Sequence, residues 1–206
     1  GPDTEMFFYF LPDLGERCIP GTPFSGEFCH VNCDCGRFME IGNNVFMQYR
    51  KSSDGFEELA QKNVDFGGGL ERLMAACLDN PDVFSTNLFE NARKTIAALS
   101  GKRYGENPDD TYAYRVVLDH VRAAVFLIGD DILPSNKDQG YFVRRLLRRA
   151  VRFGDMLGME QDFTARVGRA FIDTYASAYP NLAKNTSSIE SELSREETKF
   201  RKTLEI

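Results

Sequence analysis

Hydrophobic and polar positions change their period once along this chain, near residue 80. Residues 1–11 alternate weakly and carry Met6, Phe7, Phe8, Tyr9 and Phe10, which predicts a strand. Residues 12–36 are rich in Gly, Pro and Cys and predict an irregular insertion. "RFMEIGNNVFMQYRK" (37–51) has aromatic and β-branched content without a helical period. It predicts a second strand, with Gly42 as a kink or a place of close backbone approach. "SSDG" (52–55) is turn chemistry and predicts a hairpin. "NVDF" (63–66) predicts one more short strand, just before three consecutive glycines.

From Leu70 onward the period is helical. Leu70, Leu73, Met74, Cys77 and Leu78 recur at i, i+3, i+4, i+7 and i+8, and "DNP" (79–81) stops that helix. Val117, Val121, Ala124, Val125 and Ile128 form one apolar stripe; Val143, Leu146, Leu147, Ala150 and Val151 form another. Residues 161–179 and 186–205 complete the helical set. The last helix has Ser187 or Ser188 as its expected N-cap, with Glu190 and Glu192 in its first turns. The pattern predicts an α+β chain: a β-rich part over 1–80, then an all-helical part over 81–206. There is no internal repeat.

Composition narrows the classes. The 206 residues are 42% hydrophobic, enough for one large or two small domains and too apolar for disorder. No apolar run approaches the ~20 residues that span a bilayer. No secretory signal opens the chain, and its start, GPDTEMFF, without an initiator Met, suggests a fragment. A net charge of −6 argues against wholesale nonspecific binding of nucleic acid and leaves a local basic face possible.

Four segments carry candidate chemistry. In "VDFGGGLERL" (64–73) the glycines are either a tight turn or a cradle where backbone approaches an anion. Asp65 could hold an ammonium group, and Arg72 could reach a phosphate or only water. In "GYFVRRLLRRAVRFG" (140–154), Arg144, Arg145, Arg148, Arg149 and Arg152 share a broad helix face with no intervening acid. A solvated face normally mixes Lys and Glu, whereas arginine alone suits phosphate oxygens. The loop "LPSNKDQG" (133–140) offers Asn136, either a turn former or a group able to touch a base edge. Cys18, Cys29, Cys33 and Cys35 lie within a short span, with Cys77 apart. They are either free thiols or a structural zinc set, with Cys18 or His30 as fourth ligand. His120 sits beside an apolar stripe and is expected to partner a neighbouring helix.

Taken together the segments resemble the alanyl-tRNA synthetases, a family of class II aminoacyl-tRNA synthetases. "GPDTEMFF" looks like the family's GPC-T-E-I-F-Y strand, and "MEIGNNVFMQY" like its E-I-W-N-x-V-F-M-Q-F/Y strand. "VDFGGGLERL" looks like V-D-T-G-M-G-L-E-R, the class II motif 3. The stretch from "YRVVLDHVRAAVFLIGDDILPSNKDQG" to "YFVRRLLRRAVRFGDMLG" is similar to its helical tRNA-recognition region.

The resemblance implies residues 1–80 as the C-terminal part of a class II antiparallel sheet and 81–206 as a helical tRNA-recognition domain. It implies formation of alanyl-adenylate from alanine and ATP with Mg²⁺, then transfer to tRNA(Ala), in the cytoplasm, with no membrane or DNA partner. Asp65 matches the acid on the alanine ammonium, Val45 lines the side-chain pocket, and Gly67 and Gly69 flank substrate and adenosine. Arg72 matches the arginine on the ATP phosphates, and Glu40 and Asn43 face ATP and its Mg²⁺. Asn136 matches an asparagine that reads the acceptor stem, beside the arginine helix.

Two departures stand out. Gly42 replaces the family's tryptophan, and Phe66 and Gly68 replace its Thr and Met. Motifs 1 and 2 are absent from the 206 residues, so the chain is expected to make no adenylate alone. The competing expectation is a non-catalytic relative that keeps tRNA binding.

Overall fold

The structure, a computed structural model, describes residues 2–204; Gly1, Glu205 and Ile206, at the ends of the first expected strand and the last expected helix, lie outside the described residues. The chain divides into two compact units, Gly1–Thr86 and Asn87–Ile206.

The first unit is a three-stranded antiparallel sheet in the order β1-β2-β3, followed by one helix. β1 spans Asp3–Tyr9, β2 Phe38–Ser52 and β3 Gly55–Gly68. The expected hairpin is present: Ser52 pairs with Gly55, whose φ of 131° needs a residue without a Cβ. The expected short strand "NVDF" is not separate. It is the end of β3, which continues across the register break at Met47/Tyr49: Glu58 pairs with Tyr49 and Asn63 with Met47, while Ala60, Gln61 and Lys62 stand between them opposite no residue of β2. Bulges interrupt the register at Met6/Phe7 and at Met47/Tyr49. Helix α1, Leu70–Cys77, follows directly.

The second unit holds α2 (Glu90–Ser100), α3 (Pro108–Gly129), α4 (Asp138–Met156), α5 (Phe163–Tyr175), α6 (Pro180–Lys184) and α7 (Thr186–Leu204). Asn107 caps α3 by accepting from the amides of Asp109 and Asp110 at 2.9 and 3.1 Å, with Pro108 at the first helical position. All five residues of the α3 stripe are buried, as are Val143, Leu147, Ala150 and Val151 of α4; Leu146 is half-buried. Gly154 of α4 and Gly168 of α5 let neighbours close in, since a Cβ there would stand 2.3 Å from Phe163 and 2.5 Å from Leu193. No helix among the described residues is long and apolar enough to cross a membrane.

Two helix ends differ from expectation. The segment 161–179 is helical only over Phe163–Tyr175, and Pro180 then opens α6. Ser187 and Ser188 lie inside the first turn of α7 and do not cap it. The short α6 delivers Asn185 into the capping place, where its carbonyl accepts from the Ile189 amide at 2.9 Å. Its side chain donates to the Gly129 carbonyl at 3.0 Å.

Candidate functional sites

On the sheet, Val45 pairs with Asp65, and Asn43 with Gly67. Paired residues of antiparallel strands share a face, and alternate residues return to it. Val45, Asn43, Asp65 and Gly67 therefore share one face, while Gly42, Asn44, Phe66 and Gly68 share the other. On the first face Asp65 is exposed. Asn43 Oδ1 is buried and accepts no hydrogen bond among the described residues. A Cβ on Gly67 would meet nothing within 4 Å, so open space lies beside these groups. A buried acceptor without a donor is costly, and it is relieved by any ligand that brings one.

The glycine run is neither a joint nor a turn. Gly67 and Gly68 end β3, and Gly69, at φ −83° and ψ 115°, passes extended backbone straight into α1. Arg72, expected to reach a phosphate or water, instead donates from Nη1 to the Glu40 carbonyl at 3.1 Å and its carboxylate at 3.3 Å. The pair is half exposed, so it is worth at most ~1 kcal/mol and can be exchanged for a better anion.

Between β1 and β2, residues 12–36 form the irregular insertion expected. Its two arms are held by Cys18 N to Glu27 O at 3.1 Å and Cys29 N to Glu16 O at 2.9 Å. The Sγ atoms of Cys18, Cys29, Cys33 and Cys35 lie within 4.8 Å of one another. His30 is not among them; its Nδ1 accepts from the Asn32 amide at 3.2 Å. Burial pushes the Cys18 and Cys29 thiols up. Burial also acts against Cys35, but hydrogen bonds with the backbone of Ile19 and Arg37 outweigh it and lower this thiol to about 7.

In the second unit, a groove runs along α4. Asn136, Arg144, Arg145, Arg148, Arg149 and Arg152 line it, interleaved with the rings of Tyr141, Phe153 and Phe200. The arginine face is not free of acid, as the local sequence suggested. Glu196 of α7, 2% exposed, pairs with Arg144 at 2.9 Å and Arg148 at 3.4 Å. Arg149 donates to the Tyr112 hydroxyl at 3.4 Å. For Arg145 and Arg152 no partner is seen among the described residues, so they are the open cations. Asn136 Oδ1 accepts from Arg144 Nη1, which joins the loop to the arginine face. That loop is tight: a Cβ on Gly140 would lie 2.4 Å from both the Leu133 carbonyl and Ser135 Oγ. Arg148 lies over the Phe200 ring at 5.3 Å and Arg149 over the Phe153 ring at 5.9 Å, and guanidinium groups beside aromatic rings suit phosphates and unstacked bases alike.

The family model for tRNA synthetases class II (A) matches residues 13–206. The chain belongs to the class II tRNA synthetases. It is 42% identical over 206 residues to the alanine–tRNA ligase of Desulfosudis oleivorans, covering all of this chain and 23% of that protein. It is 43% identical over 207 residues to the alanine–tRNA ligase of Anaeromyxobacter dehalogenans, covering all of this chain and 22% of that protein. Identity to the alanine–tRNA ligase of Treponema pallidum is 40% over 203 residues, covering 97% of this chain and 32% of that protein. The chain thus spans about a fifth to a third of the length of the curated relatives it matches.

Against the synthetase pattern, the two departures meet in space. A Cβ on Gly42 would stand 2.7 Å from the Phe66 ring and 2.9 Å from Met6. Phe66 therefore covers, from β3, the position where the family pattern has an aromatic on β2. His120 does not reach a neighbouring helix through the hydrogen bond described for it; its Nδ1 lies 2.8 Å from Asp119 Oδ2 on its own helix. Three buried charged residues gave no signal in the sequence, Arg37, Glu196 and Glu197, the last accepting from the Asp162 and Thr164 amides at 3.0 Å. Each is defined by partners far along the chain.

Proposed function

We propose that the protein to which this chain belongs joins alanine to tRNA(Ala) at the expense of ATP. In this reading the chain supplies the motif 3 part of the adenylate site and the acceptor-stem groove. The observation that carries the first part is the shared sheet face: Val45, Asn43, Asp65 and Gly67 together, with open space and a buried, undonated Asn43 oxygen. Asp65 would take the alanine ammonium, and Val45 would bound a small side-chain pocket. Discrimination against a substrate one methylene larger is modest in such a pocket, about 1–3 kcal/mol. Gly67 and Gly69 would let substrate and adenosine lie against backbone. Arg72 would leave Glu40 for the phosphates as the alanine carboxylate attacks the α-phosphorus and pyrophosphate departs.

Mg²⁺ held with ATP by Glu40 and Asn43 would offset phosphate charge. Both residues offer oxygen donors, and the Asn43 oxygen is undonated. The ribose hydroxyl at the tRNA 3′ end would then attack the acyl carbonyl and release AMP. For the second part, Asn136 would meet the acceptor stem while Arg144, Arg145, Arg148, Arg149 and Arg152 hold phosphates, fixing register more than sequence.

ATP–pyrophosphate exchange in the full-length protein tests the adenylate reading. Asp65→Ala is expected to lower kcat/KM for alanine roughly 100-fold, the scale of a lost hydrogen-bonded charge, with the KM for ATP little changed. Unchanged alanine kinetics would remove Asp65 from the site.

A further inference from the structure

We propose that Cys18, Cys29, Cys33 and Cys35 hold one structural Zn²⁺, and that this ion organises the connection between β1 and β2. The geometry comes first. Cys18 and Cys33 sulfurs are 3.4 Å apart, and those of Cys29 and Cys35 are 3.5 Å apart. Tetrahedral zinc with Zn–S bonds of about 2.3 Å places its sulfurs about 3.8 Å from one another. The cluster is already near that size: the two short pairs need only open slightly, and all four sulfurs lie within 4.8 Å of one another, so small rotations of the thiols would bring them round a common ion. Four thiolates close the coordination shell and leave no position for water or substrate, which marks a structural site over a catalytic one.

The surroundings support this. Cys18, Cys29 and Cys35 are buried, and among the described residues the partly buried apolar side chains packed against them are Ile19, Phe24, Cys33 and Phe38. That is little apolar surface for 25 irregular residues, so packing alone leaves the ordering entropy of this segment unmatched. The cluster is also tied to the sheet. Two residues past Cys35, the fully buried Arg37 donates to the carbonyls of Phe10 at 3.3 Å and Leu11 at 3.1 Å. It also donates to the Arg17 carbonyl, next to Cys18, and to the Tyr9 hydroxyl. Its own carbonyl accepts from the Phe10 amide at 2.9 Å. A metal at the thiols and a guanidinium at the carbonyls thus form one knot at the mouth of β1 and β2, three residues before Glu40.

Element analysis of the purified chain by plasma mass spectrometry tests the proposal. About one zinc per chain is expected, released when a mercurial reagent blocks the thiols. Cys29→Ser and Cys35→Ser should each fall below about a tenth of that, with helical circular dichroism reporting whether the rest of the chain still folds. His30→Ala and Cys77→Ser should keep the metal. Should the serine variants fail to fold, cobalt substitution of the unaltered chain reads the ligand set directly, through the thiolate-to-cobalt charge-transfer intensity of four sulfurs. Several results would overturn the proposal: no zinc, iron in its place, zinc retained without Cys29, or zinc lost with His30. Cys18–Cys33 and Cys29–Cys35 disulfides in peptides mapped without reductant would do the same.

Discussion

The two units reach order by different means. In the helical unit, α3 and α4 bury continuous stripes, and Tyr114, Phe163, Phe171, Leu147 and Leu182 are almost wholly removed from water. In the sheet unit the fully buried side chains are few, and one of the largest is an arginine, Arg37. Its long strands leave apolar side chains in water: Phe56 is 75% exposed, Val64 57% and Phe66 53%. One unit is closed by its own hydrophobic contacts. The other is closed at one end by Arg37 and four converging thiols and stays open on its faces. The closed helical core suits the groove proposed on it, since a groove that grips a large polyanion needs a rigid frame.

The contrast can be broken most sharply by truncation. Leu147→Ala, inside the helical core, is expected to cost about 3 kcal/mol in chemical denaturation. Phe56→Ser, on the open sheet, is expected to change stability by about 0.5 kcal/mol or less. Equal effects would mean that the sheet faces are as well packed as the helices. A finer test concerns the crossing of Gly42 and Phe66. Gly42→Trp alone should destabilise the sheet, because the new side chain collides with the Phe66 ring. Adding Phe66→Thr should recover on the order of 1 kcal/mol in a double-mutant cycle. Simple additivity would show that the two positions are independent.

The helical unit was the more legible of the two, for a physical reason. Helical period depends on residues three and four apart, so the stripes from Val117 to Ile128 and from Val143 to Val151 could be read locally. Helix α2 could not, because its buried positions, Ala92 and Ile96, are too few to set a period. The full length of β3 was also hidden, since Ala60, Gln61 and Lys62 have low strand preference and only link the two stretches of β3 that pair with β2.

Among candidate site residues, the local pattern raised Asp65 and Gly67, and the family resemblance added Val45 and Asn43. Only the register put them on one face, and only burial revealed the undonated Asn43 oxygen. Sequence could not choose between Cys18 and His30; the fold brings Cys18 to the cluster and turns His30 to a backbone amide. Arg37, Glu196 and Glu197 escaped reading altogether. The Phe10 carbonyl that Arg37 serves lies 27 positions away, and Glu196 lies 48 from Arg148. Such partners leave no trace in a local pattern.

The groove gives the most direct test of the account, because the helical unit that bears it is closed by its own core. Binding of tRNA(Ala) to this chain, measured by fluorescence anisotropy across a salt series, should weaken steeply as salt rises. Arg145→Glu with Arg149→Glu should lower affinity at least ~10-fold and flatten the salt slope by about one unit or more per lost phosphate contact. Unchanged affinity and slope in that variant, with the helical fold intact, would contradict the account and leave the arginine helix a solvated face.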